Sequence, residues 1–195
     1  MSVRGDSSQD ALIDAGIRLF KERGYAGVTV NELCAAAGLS KRAFYYHFDS
    51  KLALVVRYYE RLFAALDAGL VEDFARESPW GQFIALTRNL SDSLIRPGPE
   101  VLSEALRANV DSNFLPFYRT ERLHRITASL IGACQASGEV RNLGDPAALG
   151  YVVNYVFLGC LLRWCAEKGS FDLHEEVMRN CGAVLAVARL PSPRT

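Results

Sequence analysis

Apolar residues recur at helical spacing along most of this chain. Near the start, Leu12, Ile13, Ala15, Leu19 and Phe20 share one face, and Lys21-Glu22-Arg23-Gly24-Tyr25 ends the segment. Val30, Leu33, Cys34 and Ala37 form the next face, which stops at Gly38. A short segment over 41–48 can turn Ala43, Phe44 and Phe48 inward. A long helix is then predicted from Ser50 toward Arg76, with Leu52, Val55, Val56, Tyr59, Leu62, Phe63, Leu66 and Leu70 on its apolar side. Arg96-Pro97-Gly98-Pro99 reads as a loop, preceded by a helix from Ser78-Pro79 through Leu90 and followed by a shorter one over 100–109. Further helices are predicted from Pro116 to a stop at Gly138, from Asp145-Pro146 to near Gly169, and from Asp172 through Leu185. No run alternates with period two, so the predicted fold class is all-α.

The stretch from Thr29 to Lys51 carries the most information. Thr29 with Glu32 fits a capping box, in which each side chain satisfies the other residue's backbone N–H. Gly38 stands where a helix end needs positive φ, which glycine adopts without a Cβ clash. Leu39 can plug the gap between two helices, and Ser40 caps the second. On that second helix Lys41, Arg42, Tyr45, Tyr46 and His47 are left for the outside or the rim. Exposed aromatic rings cost apolar hydration and ask for a partner. Lysine and arginine at the helix start reach phosphates or guanine edges, and tyrosine can meet a phosphate or a thymine methyl. Ser50 caps the following helix with Lys51 in its first turn, which is a phosphate-binding position. The predicted DNA-facing set is Thr29, Lys41, Arg42, Ala43, Tyr45, Tyr46, His47 and Lys51.

The string Thr29-Val30, Leu33-Cys34, Ala37-Gly38-Leu39-Ser40, Tyr45-Tyr46-His47-Phe48 and Lys51 resembles the signature of the tetracycline-repressor (TetR) family of bacterial regulators. The ending of the first helix, Phe20 to Gly24-Tyr25, resembles the family as well. The close match covers about the first quarter of the chain. Two positions depart from it. Gly16 stands where the family usually has alanine, at a cost of about 1 kcal/mol in helix propensity that a close helix crossing would offset. The N-terminal arm has Arg4 as its single basic residue. The resemblance implies a helix-turn-helix domain over 1–50 and a helical effector-binding and dimerisation domain over 51–195. It further implies a homodimer on operator DNA, acting as a repressor that a small-molecule effector releases.

Charge sharpens this picture. Formal net charge is zero over 195 residues. DNA binding therefore needs a local patch, at Lys41, Arg42, Lys51 and Arg57, and the balance favours a site-specific binder over a non-specific one. Five cysteines lie at 34, 134, 160, 165 and 181, with no Cys-x-x-Cys and three histidines in the whole chain. No metal site or cofactor is expected. The opening residues lack a secretory pattern, so free buried thiols in a reducing cytoplasm are expected. Residues 146–162 carry no charge, at the lower edge of a membrane span. Asn154 within that run and Asp145 and Arg163 beside it favour a helix buried between a core and a second subunit. A dimer through the last two long helices follows, and no membrane association is expected.

No Gly-x-Ser-x-Gly and no phosphate loop occurs, so the chain is not expected to be an enzyme. His124 and His174 are expected at the surface. The effector is expected to be mainly apolar, against Phe63, Phe83, Phe117, Tyr118, Asn154, Tyr155, Leu158 and Arg163. Two alternatives stay open: a thiol-responsive regulator, which needs an exposed low-pKa cysteine, and an effector-free architectural DNA binder.

Overall fold

The computed structural model describes residues 3–69, 77–111 and 121–187. Nine helices occur among them: α1 (Val3–Arg23), α2 (Val30–Ala37), α3 (Lys41–His47), α4 (Lys51–Gly69), α5 (Pro79–Ile95), α6 (Pro99–Asp111), α7 (Glu121–Ala136), α8 (Pro146–Ala166) and α9 (Leu173–Leu185). One isolated antiparallel bridge, Val140 with Val187, is the β-type pairing among the described residues. The all-α expectation holds. The expected stretch from Leu70 to Arg76 and the expected helix start at Pro116 lie outside the described residues. The short segment expected over 100–109 is a 13-residue helix, and Pro99, read as loop, is its first residue.

The chain divides into two compact units, one within residues 1–63 and 94–117 and the other within 64–93 and 118–195. The boundary expected at 50/51 falls inside the first of these. In that unit α1 buries Leu12, Ile13, Ala15 and Phe20, and α2 and α3 bury Leu33, Cys34 and Phe44. Leu54, Val55 and Tyr59 of α4 are fully buried, and the Tyr59 hydroxyl donates to the Leu94 carbonyl at 3.0 Å. Leu19, expected on the apolar face of α1, is half-buried.

In the second unit α8 packs between α7 and α9. Its Leu149, Val153, Phe157, Cys160, Leu161 and Trp164 are buried. By length and composition α8 could cross a membrane, yet it serves here as a core helix. Asp145 and Asp172 cap α8 and α9 through their side chains, as expected. Two expectations about histidine fail. His174 is buried, because the first turn of α9 rests on Thr87 and its neighbours in α5. His124 is half-buried, stacked 3.7 Å from the Tyr151 ring, with Nδ1 enclosed and unpaired.

Candidate nucleic-acid interface

Local chemistry builds the reading face. Thr29 begins α2 in extended geometry, and its hydroxyl accepts from the Glu32 N–H at 3.3 Å. Glu32 in return accepts from the Thr29 N–H at 2.8 Å and hydroxyl at 2.7 Å, and it pairs with Arg23. These donors, Thr29 first, pull the Glu32 carboxyl down to about 2. Gly38 ends α2 at φ 66°, and the Leu39 N–H reaches back to the Cys34 carbonyl at 2.9 Å. A Cβ at Gly38 would meet nothing within 4 Å, so backbone conformation alone requires glycine there. The Ser40 hydroxyl then accepts from the Ala43 N–H at 3.1 Å and starts α3.

These devices divide α3 by face. Phe44 is fully buried and Phe48 beyond it is buried, which locks the helix against the unit. Lys41 and Arg42 are exposed. Tyr45 is 50% exposed and Tyr46 83%. Tyr46 meets His47 edge-on at 5.0 Å. Cations and aromatics thus stand on one outward face of a seven-residue helix. Ala43 and His47 are half-buried at its rim.

Lys51 sits differently from the expected phosphate position. Its ammonium turns inward and donates to the carbonyls of Tyr25 at 2.9 Å and Val28 at 2.6 Å. It also lies 4.6 Å from the Tyr25 ring centroid. Arg57 is exposed and pairs with Glu60 at 3.0 Å. One further residue at this end, Glu100, had no signal in the sequence. The Glu100 carboxylate accepts from the Tyr25 N–H at 3.0 Å across 75 positions, and no local pattern announces so remote a contact.

Phe63 is buried in the first unit and Phe83 in the second, where Phe83 stacks on Trp80 at 5.0 Å. Phe117 and Tyr118 lie outside the described residues. Asn154 and Leu158 are half-buried. Tyr155 is exposed, and Arg163 is a surface group held by Glu167 and Glu176, each at 2.8 Å. An open groove of ~530 Å³ in the first unit is lined by Gln9, His47, Leu52, Val56, Arg57 and Ala108, among others, and by none of the eight candidates. Burial raises the thiols of Cys34 and Cys160, and pushes Cys134 and Cys181 up to about 12.

A family model described as bacterial regulatory proteins, tetR family, matches residues 12–58. The chain is 35% identical over 77 residues to the uncharacterized HTH-type transcriptional regulator YerO of Bacillus subtilis (strain 168), covering 38% of this chain and 27% of that protein. Such matches span about a quarter of the length of the curated relatives. The regulatory protein TetR from Rhodobacter sphaeroides superposes with a TM-score of 0.66 at 26% identity, over 91% of this chain and 98% of that one. Thermus thermophilus FadR, a TetR-family transcriptional repressor in complex with lauroyl-CoA, has the same fold, with a TM-score of 0.65 at 22% identity over 96% of this chain and 100% of its own. The capped pair α2–α3, the family match laid over it and the fold shared along nearly the whole chain agree: residues 12–58 match the TetR-family model, and the chain has the fold of the regulatory protein TetR from Rhodobacter sphaeroides.

Proposed function

We propose that this chain binds duplex DNA at specific sites and represses transcription there until a mainly apolar small molecule releases it. The observation that carries the reading is the outward face of α3. It presents Lys41, Arg42, Tyr45 and Tyr46 to solvent on a helix fixed by caps at both neighbours. A chain of zero net charge with this local patch suits positioning by a few phosphate contacts and readout by base edges. The protein acts in the cytoplasm as a homodimer. Its α8 leaves Tyr151, Val152, Tyr155 and Leu162 at the surface, spaced to one side of the helix, and a second copy would cover them.

The effector works by binding one arrangement of the dimer better than another, so that the population able to span two half-sites falls. The lauroyl chain of the lauroyl-CoA held by the Thermus thermophilus structure supports a ligand with a large apolar part. The high pKa of four buried cysteines weighs against a thiol sensor. Selection of duplexes from a random pool by the wild-type protein, followed by mobility shifts, tests the reading. One enriched motif with two-fold symmetry is expected. Uniform retention of all sequences would refute site-specific binding.

A further inference from the structure

The loop from Gly24 to Thr29 joins α1 to α2, and everything the reading face does depends on where α2 begins. Charged side chains from two other helices hold that loop, and both act on Tyr25. From α4, the Lys51 ammonium donates to the carbonyls of Tyr25 and Val28, at the two ends of one short loop, and stands over the Tyr25 ring. From α6, the Glu100 carboxylate accepts the Tyr25 N–H at 3.0 Å. Gly24 makes this approach feasible. Its φ is 76°, and a Cβ there would stand 2.7 Å from Glu100 Oε2. The Tyr25 backbone is thus held at its N–H by an anion and at its carbonyl, in the next peptide group, by a cation. Both bonds are charge-assisted.

An ammonium has three N–H donors. Here two go to carbonyls and the charge faces an aromatic ring, so little is left for a phosphate. We infer that Lys51 and Glu100 are positioning residues that clamp the 24–28 loop and set the attitude of α2 and α3 on DNA, with Lys51 not serving as a phosphate ligand. This inference rests on the DNA-binding reading above. α6, in the same compact unit, thereby has a direct hold on the α1–α2 loop through one side chain.

The test compares full-length wild type with Lys51→Met, Glu100→Ala, Glu100→Gln and Lys41→Ala. Two quantities are read at a temperature where circular dichroism shows every variant folded: backbone hydrogen exchange over 24–28 in the free protein, and affinity across a salt series for a duplex selected by the wild type. Lys51→Met and Glu100→Ala should each speed loop exchange and weaken DNA binding about tenfold. Their slopes of log affinity against log salt should stay within about half a unit of wild type, whereas Lys41→Ala should lower the slope by about one. Glu100→Gln keeps an oxygen acceptor and should restore wild-type affinity. A Lys51→Met slope lower by about one with unchanged loop exchange would make Lys51 a phosphate ligand and overturn the inference. Faster loop exchange with wild-type affinity would overturn the positioning role. A wild type that enriches no duplex would instead fail the DNA-binding reading, while the exchange data still report whether the clamp exists.

Discussion

A Cβ placed on Gly16 of α1 would stand 2.9 Å from Leu54 Cδ2 of α4, a side chain with no exposed surface. The glycine is therefore the contact point of a close helix crossing. Alanine there would gain about 1 kcal/mol of helix propensity. It would also force Leu54 to move in a filled core, which costs about 1–3 kcal/mol. The overpacking wins, so Gly16→Ala should lower unfolding stability by about 1 kcal/mol. Urea denaturation measures it. A stabilised variant would show that Leu54 relaxes freely.

The capping box makes an acid-sensitive prediction. The Glu32 carboxyl sits near 2 in the fold, against an ordinary 4.5. Its contribution is present above about 4.5 and is lost as pH falls toward 2. Thr29→Ala removes the first cause of that shift. It should cost about 1 kcal/mol at neutral pH and flatten the acid limb of the stability curve. Thermal melts between pH 2 and 5 read both effects.

His174 acts in a different window. Burial lowers its pKa below 6.5, and Arg88 adds to this; Asp172, the Thr87 backbone and Asp92 oppose it. The unfolded chain therefore takes up a proton that the folded chain resists. Stability should be full above about 6.5 and fall as pH drops from there toward the lower folded value. His174→Phe should remove that slope. A wild-type curve flat from pH 7 to 5 would contradict the burial.

Much of this was legible because it is local. Thr29, Glu32, Gly38, Ser40, Asp145 and Asp172 act on backbone groups within a few residues, so spacing alone identifies their roles. The inward set Phe44 and Phe48 and the outward set Tyr45 and Tyr46 follow from helical period. What spacing does not carry is which distant group a long side chain chooses. Lys51 was readable as a helix-start cation, but its choice of two carbonyls 26 and 23 positions away depends on how α4 crosses the α1–α2 loop. His174 and Glu100 were missed for the same reason: their surroundings come from α5 and from the α1–α2 loop. The aromatic residues proposed as a pocket share a composition, and composition does not say whether a ring such as Tyr155 faces inward or out.

The apolar stripe on α8 predicts assembly. Tyr155 is 62% exposed at its centre, where a second copy would bury it. Tyr155→Glu would place an unpaired charge in that seam and should shift sedimentation at micromolar concentration from dimer to monomer. A wild type that sediments as a monomer would remove the dimer from the proposal.

The central claim is that α3 reads DNA, and a mobility shift with a wild-type-selected duplex tests it most directly. Tyr46→Ala and Arg42→Ala, at the most exposed part of the helix, should each weaken the selected duplex by roughly 1–3 kcal/mol, with a smaller loss on scrambled DNA. Loss of preference between the two duplexes is the predicted result. Unchanged affinity and unchanged preference in both variants would contradict the account.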